Sequence, residues 1–314
     1  MPEEEYRWLP RGELLSFEEI GQLVDAFIEL GVDRVRLTGG EPLLRRGLPD
    51  LVAQLRQRSA LRDIALTTNG LKLADQALEL RRAGLDRITI SLDSLRPERY
   101  HALTRRDGLQ SALEGIRVAS EVGFKSVKLN TVVLRGTNDD ELPELLDFAR
   151  AQGIEPRFVE YMDVGGATKW SRDDVVSRSE ILERLEAHYG PIKSAGGDAV
   201  PSSAPARPYH LPDGTRFGII ASTTQPFCGS CDRSRLTADG NWYTCLYARN
   251  GQDLRTPLRG GVSHEEMVEV LRARWTGRDD RGAERRLGLA SRNPLAQVDE
   301  LQGDPHLEMH TRGG

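Results

Sequence analysis

Short runs rich in β-branched residues alternate with helical stretches through the first half of the chain. The candidate strands are residues 34–38, 64–68, 87–92, 126–133 and 156–162, and the candidate helices between them are 47–57, 73–83, 108–122 and 139–151. A helix over 16–30, with Ser16 and Glu19 at capping-box spacing, precedes the first strand. Because single strands alternate with helices, the pattern is typical of βαβ units and predicts an α/β fold with a parallel sheet or barrel.

The second half of the chain is punctuated differently. Residues 190–208 are rich in Gly, Pro and Ser and are predicted to be irregular. Two hairpins are predicted beyond them, one over 209–222 around a Pro-Asp-Gly turn and one over 236–246 around an Asp-Gly turn. A helix near 263–275 and a charged tail complete the chain. This change indicates a smaller C-terminal unit after the strand–helix repeats.

Alternation within each predicted strand separates an apolar face from a polar face. The apolar face suits contact with the helices, whereas polar groups in an interior are costly without a polar guest. In β/α barrels such groups gather at the C-terminal ends of the strands. The alternative is the exposed face of an open sheet. The residues assigned to the shared polar interior are Arg36, Thr38, Thr67, Asn69, Thr89, Ser91, Asp93, Lys128, Asn130 and Glu160.

Composition limits the classes of protein to which the chain can belong. The 314 residues carry a net charge of −5, which argues against general nucleic-acid binding. No apolar run approaches the length of a membrane span, and the N-terminus is acidic rather than signal-like. Three cysteines do not form a closed disulfide framework, so we expect a cytoplasmic protein that uses them for metal or redox chemistry.

The three cysteines form the strongest local motif. Cys228 and Cys231 are separated by two residues, and Cys245 follows across the second hairpin. Three thiolates without an obvious fourth suit an iron–sulfur cluster with one open iron. A zinc site with His210 or His264 as the fourth ligand is an equal alternative, and three unligated thiols are a weaker one.

Two further features suit a charged ligand. Arg233 and Arg235 follow the cysteine pair, where they either balance surface charge or grip a phosphate through the planar guanidinium. The Thr-Gly-Gly-Glu-Pro segment at 38–42 lies where a strand should end. Its glycines allow close approach of a ligand and Glu41 accepts hydrogen bonds from an amine, although a plain glycine-rich turn explains the segment equally well.

Together, these motifs resemble a known family. Leu-Thr-Gly-Gly-Glu-Pro, Leu-Thr-Thr-Asn-Gly, Ser-Leu-Asp, Val-Lys-Leu-Asn and the 158–163 segment occur in that order, followed by Phe-Cys-x-x-Cys-x-Arg-x-Arg-Leu, Cys245 and a terminal Gly-Gly. The set resembles the GTP 3′,8-cyclase family (molybdenum cofactor biosynthesis protein A) of the radical S-adenosylmethionine superfamily. The resemblance covers essentially the whole chain, and the cysteine–arginine block is its most specific part.

The resemblance implies a role for each matched residue. S-adenosylmethionine would contact Gly40, Ser91 and Met162, with Thr38, Glu41 and Asn130 as neighbours. GTP would be held by Arg36, Thr67, Lys128, Arg233 and Arg235. A 4Fe–4S cluster would be bound by Cys228, Cys231 and Cys245, and the Gly313–Gly314 tail would reach into the barrel and help to position the substrate.

The sequence departs from the family at its start. The family has a second 4Fe–4S cluster on a Cys-x3-Cys-x2-Cys loop after the first barrel strand, whereas all three cysteines here lie in the C-terminal block. The family loop is typically followed by Met-Pro-Glu, which is residues 1–3 here. We therefore expect a fragment or misplaced start, or else a non-catalytic GTP-binding remnant. In either case this polypeptide alone is predicted to be inactive, and the edge at 34–38 to be unpaired.

The predicted architecture is an α/β, incomplete (β/α)6 TIM-like barrel that lacks its first strand, with a C-terminal iron–sulfur cluster domain. We expect a partial barrel over 1–165, a connecting segment over 166–206 and the cluster and GTP-binding domain over 207–314. The expected function is conversion of GTP to 3′,8-cyclo-7,8-dihydro-GTP by a 5′-deoxyadenosyl radical. The expected downstream partner is cyclic pyranopterin monophosphate synthase. A homodimer and an unrelated zinc-stabilised barrel protein both remain open.

Overall fold

A large, mostly parallel sheet organises the molecule. The structure is a computed structural model and describes residues 9–195 and 203–313, so Met1-Pro2-Glu3 and Gly314 lie outside the described residues. The strands are β1 (Arg34–Leu37), β2 (Asp63–Thr68), β3 (Arg87–Ser91), β4 (Ser126–Val133), β5 (Glu155–Glu160), β6 (Lys193–Ser194), β7 (Arg207–His210), β8 (Arg216–Ile220), β9 (Arg235–Leu236), β10 (Asn241–Tyr243) and β11 (Gln252–Asp253). The five strands predicted for the first half are therefore all present.

The order of strands in this sheet is β1-β2-β3-β4-β5-β8-β7-β6. Neighbours from β1 to β5 pair in parallel, and β8 continues the series by pairing in parallel with β5. The β7–β8 hairpin forms over the predicted Pro-Asp-Gly turn, and β9–β10 forms over the predicted Asp-Gly turn. The sheet is open, with β1 at one edge, as expected for a partial β/α barrel.

Helices cover the apolar face of the sheet. The helices that do so are α1 (Phe17–Glu29), α2 (Leu48–Arg56), α3 (Leu73–Arg82), α4 (Pro97–Thr104), α5 (Leu109–Glu121), α6 (Leu142–Ala151) and α7 (Arg178–Tyr189). The later helices pack outside this face and are α8 (Arg255–Arg259), α9 (His264–Thr276), α10 (Gly282–Leu287), α11 (Val298–Gly303) and α12 (Met309–Arg312). The predicted capping box at the start of α1 is present, with Ser16 Oγ accepting from the Glu19 amide at 3.1 Å. None of the described helices is long and apolar enough to cross a bilayer.

The hydrophobic core has a main part and a satellite. The main core packs the helices against the alternate strand residues that the sequence assigns to the apolar face, such as Ile64, Leu66, Ile88 and Ile90. The satellite core joins α1, β10 and α9, and it buries Trp242 against Phe27. The opposite face of the parallel strands is left for polar side chains.

Candidate functional site

The polar face of the sheet brings together Arg36, Thr67 and Thr89 from three neighbouring strands. The Arg36 guanidinium donates to Thr67 Oγ1 at 3.0 Å and to Thr89 Oγ1 at 3.2 Å. Desolvation by neighbouring side chains and the charge of Arg87 lower the pKa of Arg36 to about 10, although the side chain still reaches solvent. An arginine that is both crowded and accessible is suited to meet an anion entering from solvent.

A second cationic group lies further along the same face. Lys128 on β4 and Arg157 on β5 share Glu155, with Lys128 Nζ 3.6 Å and Arg157 Nε 2.9 Å from Glu155 Oε1. Burial and the charge of Arg157 lower the pKa of Lys128. Sequence reasoning missed Arg157, although its alternation with Phe158, which belongs to the apolar core, is the signal that would have found it.

Glu160 is not part of this polar interior, so that assignment is wrong. Its side chain is fully buried on the same face of β5 as Phe158. The carboxylate accepts from the amides of Arg178, Thr223 and Thr224, at 2.7–3.0 Å, and from the Thr224 hydroxyl at 2.6 Å. Four donors satisfy the buried charge, which therefore fastens loops to β5 rather than serving a ligand.

The Gly-Gly-Glu-Pro turn follows β1. Glu41 Oε1 accepts from the Leu43 amide and the Thr68 hydroxyl, and Oε2 accepts from the Asn69 amide at 2.8 Å. Glu41 thus holds the β1 turn to the turn after β2. Gly39 adopts a φ of +116°, and Gly40 is exposed beside it, so backbone is presented at the mouth of the sheet.

The end of β3 and the middle of β4 offer polar groups at the same level. Ser91 is paired in register with Asn130 and is exposed. Asn130 Oδ1 and Ser222 Oγ are buried without a hydrogen-bond partner in the described structure. Met162 lies in the loop beyond β5, since that strand ends at Glu160 rather than at the predicted residue 162. Buried polar atoms without a partner fit a polar ligand such as S-adenosylmethionine.

The three cysteines lie in the loops around β9 and β10. Cys228 and Cys245 pack with Met162 in one small cluster. Burial disfavours the Cys231 thiolate, but the Arg233 amide and the charge of Arg233, with Arg278, outweigh burial and lower the pKa of Cys231. Cationic donors that favour a thiolate fit a thiolate-bound metal centre.

The histidines of the zinc alternative are engaged elsewhere. His264 Nε2 lies 2.8 Å from Glu29 on α1, and His210 lies on β7, opposite Lys193. In the part of the chain that the structure describes, no three His, Cys, Asp or Glu side chains are grouped so as to hold a metal ion, and this includes Cys228, Cys231 and Cys245. The structure therefore does not bring the three sulfurs into a ligand set, although three thiolates are by their chemistry suited to an iron–sulfur cluster with one open iron.

The arginines of the cysteine block approach the sheet. Arg233 lies over the Phe227 ring at 4.7 Å, and its charge contributes to the lowered pKa of Arg36. Burial and the neighbouring Arg233 lower the pKa of Arg235 to about 10, against the opposing influence of the Cys231 and Cys245 thiolates. The block therefore adds cations to the edge of the polar face.

The C-terminal tail reaches the turn after β1. Arg312 is 3% exposed and donates to the carbonyl oxygens of Leu246 and Ala248 in the loop after Cys245. Gly313, at a φ of +76°, lies directly against the Thr38 side chain, with no room for a Cβ. The tail thus links the cysteine loop to the mouth of the sheet. Gly314 is outside the described residues.

One cavity lies apart from these residues. It encloses about 570 Å3 beside the start of α7 and the loop after β8, with Arg135, Ser177, Thr223 and Arg292 in its wall. None of the sequence-predicted site residues lines it. We therefore assign the site by the convergence of side chains rather than by this cavity.

Comparison with known proteins agrees with the fold and the motifs. Residues 3–149 match the Radical SAM superfamily, and residues 154–284 match the family described as Molybdenum Cofactor Synthesis C. The structure of Streptococcus suis SuiB bound to S-adenosylmethionine is similar in fold, with a TM-score of 0.58 and 14% identity over 92% of this chain and 65% of that chain. The fold and the glycine-rich turn are those of a radical S-adenosylmethionine protein.

Similarity over the whole chain identifies the family. GTP 3′,8-cyclase 3 of Mycobacterium bovis is 54% identical over all of this chain and 83% of the relative. GTP 3′,8-cyclase 1 of Mycobacterium tuberculosis is 52% identical over all of this chain and 88% of the relative, and the GTP 3′,8-cyclase of Aquifex aeolicus is 42% identical over 91% and 86%. The chain belongs to the GTP 3′,8-cyclase family.

Proposed function

We propose that the polar face of the sheet is the GTP site of a radical S-adenosylmethionine GTP 3′,8-cyclase acting in molybdenum cofactor biosynthesis. The observation that carries the proposal is the convergence of Arg36, Thr67 and Lys128 on one face of a chain whose net charge is negative. Clustered cations in an acidic protein favour an anionic ligand, and a nucleoside triphosphate is a strongly anionic one.

The roles of the residues follow from their chemistry. Arg36, Lys128 and the unpredicted Arg157 supply cations to the phosphates, and Thr67 orients the Arg36 guanidinium through its hydroxyl. Arg233 and Arg235 extend this charge toward the cysteines. Holding the nucleotide at several points would fix its ribose relative to the cofactor residues.

The proposed cofactor residues lie on β3, on β4 and in the loops after β1 and β5. Gly40, Ser91, Asn130 and Met162 would hold S-adenosylmethionine, with Thr38 and Glu41 as neighbours. Cys228, Cys231 and Cys245 would bind a 4Fe–4S cluster. When bound, the family's clusters and S-adenosylmethionine supply the radical chemistry that converts GTP to 3′,8-cyclo-7,8-dihydro-GTP. Gly313 and Gly314 would position the substrate from the tail.

The remaining proposals concern the cluster ligands, the downstream enzyme and the domain boundaries. The three cysteines would supply ligands for one cluster. The product would pass to cyclic pyranopterin monophosphate synthase, and the reducing cytoplasm would keep the thiols available. The domain boundaries at residues 165 and 206 stay a prediction. Strand β8 lies in the proposed C-terminal domain, yet it pairs with β5 in the sheet of the proposed partial barrel.

The experiment that tests the site compares two arginines on the same strand. Arg36→Gln removes the guanidinium on the polar face, and we expect it to weaken GTP binding by about 10–100-fold, since a hydrogen bond to a charged group is worth roughly 1.5–3 kcal/mol. Arg34→Gln is the matched control because Arg34 is two residues away and two-thirds exposed beside Asp33. Isothermal titration calorimetry with GTP measures both.

A GTP affinity that is the same for Arg36→Gln and Arg34→Gln would contradict the assignment of this face to GTP. If both lose affinity equally, the effect comes from the overall charge rather than from a site. Circular dichroism of each variant checks that β1 remains folded.

A further inference from the structure

Asp163 is a buried carboxylate just beyond the end of β5. Its side chain has no exposure to solvent. Arg292 donates to it through Nε at 2.8 Å and through Nη2 at 2.7 Å, Arg286 donates through Nε at 2.5 Å, and the Tyr247 hydroxyl donates at 3.0 Å. Two arginines and a tyrosine thus share one carboxylate.

These partners come from the segments that carry and support the cysteines. Tyr247 lies two residues after Cys245. Arg286 lies on α10, whose first residue, Gly282, leaves so little space that a Cβ there would lie 3.1 Å from Cys245 Sγ. The helix therefore packs directly behind the Cys245 thiol, and the carboxylate fastens both the helix and the loop to β5.

Arg292 extends the same network to the sheet. It donates to the Thr223 carbonyl at 3.0 Å, just after β8, and lies over the Trp170 ring at 5.2 Å. The Asp163 backbone carbonyl accepts from the Leu295 amide at 2.8 Å. The network therefore ties the cysteine loop to the C-terminal ends of two neighbouring strands.

The arrangement leaves little freedom for its members. The side chains of Arg286 and Arg292 are 16% and 6% exposed, so each depends on Asp163 for its compensating charge. Removing the carboxylate charge of Asp163 would leave two largely buried guanidinium groups without a compensating negative charge. To bring these guanidinium groups to solvent, the loop that carries Tyr247 or helix α10 has to move, and both lie against Cys245.

We infer that Asp163 is a positioning residue that holds the Cys245 loop, through Tyr247 and Arg286, at a fixed place relative to the mouth of the sheet. The inference rests on the proposed function, in which Cys245 is a ligand of an iron–sulfur cluster. Groups that orient a ligand from behind control how tightly the metal is held, and their loss commonly weakens it about 10–100-fold.

A second buried carboxylate provides a matched control. Asp86 is 3% exposed, binds Arg56 and Lys125, and accepts from the Ile64 amide at 2.9 Å. It precedes β3, at the opposite end of the strands from the cysteines. Asp86→Asn therefore removes the same buried charge without touching the cluster loop, although its two cationic partners are more exposed than Arg286 and Arg292.

The experiment uses the full chain, in which the three cysteines of the site are the only ones. Wild type, Asp163→Asn and Asp86→Asn are reconstituted anaerobically with iron and sulfide, and bound iron, sulfide and thermal stability are measured. Release of iron to a chelator and the EPR spectrum of the reduced cluster then report on the site. We expect Asp163→Asn to release iron about tenfold faster and to alter the spectrum, and Asp86→Asn to match wild type in both.

A milder pair keeps the test decisive if Asp163→Asn fails to fold. Tyr247→Phe removes only the hydroxyl that reaches Asp163, and Tyr189→Phe removes a hydroxyl that donates to the Pro143 carbonyl far from the cysteines. We expect faster iron release from Tyr247→Phe alone.

The outcomes separate the two claims. Wild-type protein that binds no iron and sulfide overturns the proposed cluster itself. Wild-type protein that binds a cluster, with Asp163→Asn and Tyr247→Phe releasing iron no faster than their controls, overturns the role of Asp163 and leaves the proposed function intact.

Discussion

At the scale of single residues, Gly115 determines how closely α5 approaches the turn after β2. A Cβ at this position would collide with the Gly70 carbonyl oxygen and lie 3.2 Å from Leu73 Cβ. That turn also presents the Asn69 amide to Glu41, so its position matters to the mouth of the sheet. The close approach of helix and turn therefore requires glycine.

Gly115→Ala is expected to lower the free energy of unfolding by about 1–3 kcal/mol, because an added methyl group forces the helix away from the turn. Gly303→Ala is the control, since a Cβ at the end of α11 meets nothing within 4 Å. Urea unfolding measures both. A Gly115→Ala protein as stable as the control would show that the turn yields without cost.

The polar face shows how far single residues can be assigned from sequence. Alternation placed Arg36, Thr67 and Lys128 correctly, because each lies in a regular strand with a clear apolar partner face. The wrong assignment of Glu160 followed its charge rather than its alternation, because Glu160 is in phase with the core residue Phe158. A charge on the apolar face is permitted here by amides of residues 178 and 223–224, which are distant in the sequence and which a strand pattern does not reveal.

At the scale of elements, the C-terminal helices act as an anchor for the tail. His306, in the turn before α12, lies between two carboxylates, with Nε2 2.7 Å from Asp239 and Nδ1 3.1 Å from Asp304. The hydrogen bond that His306 donates to Asp239 is the main cause of a raised pKa of His306, against burial, and Asp304 adds to it. Arg312 donates to the His306 carbonyl, so the turn supports the tail.

The stability from protonated His306 is pH-dependent. Because its pKa is raised in the folded state above the unfolded value of 6.5, the contribution is complete below pH 6.5 and is lost as the pH rises through the folded value. We expect hydrogen exchange in residues 305–313 to be more protected at pH 6 than at pH 9, after correction for intrinsic rates. His306→Gln should abolish this difference, and its persistence would assign the effect to another group.

Several elements that sequence reasoning missed depend on tertiary contacts, whereas α7 was missed although Ser177 and Glu180 have capping-box spacing. The second strand of the predicted hairpin is β8, yet its parallel pairing with β5 depends on residues some sixty positions earlier in the chain. Helices α10, α11 and α12 are four to six residues long and lie in a charged tail. Such short helices are held by tertiary contacts rather than by periodicity, so the sequence predicted only a tail.

At the scale of the whole molecule, the first helix joins the C-terminal region to the sheet. Leu23 on α1 and Leu271 on α9 are fully buried in the same satellite core, and Phe27 packs edge-on against Trp242. Arg259 also donates to Glu19 at 2.6 Å. Since α1 contacts both the sheet helices and α9, the segments matching the two families share one folded unit.

Leu271→Ala is therefore expected to destabilise both regions together. Removing a fully buried leucine costs about 2–5 kcal/mol, and the exchange of β3 amides should accelerate along with that of α9 amides if unfolding is shared. Leu78→Ala is the control, because Leu78 on α3 is half exposed and its loss leaves no cavity. Hydrogen exchange with mass spectrometry follows both regions in one experiment. Acceleration confined to α9 would mean that the sheet folds independently, so that α1 would support the cysteine loops without stabilising the nucleotide face.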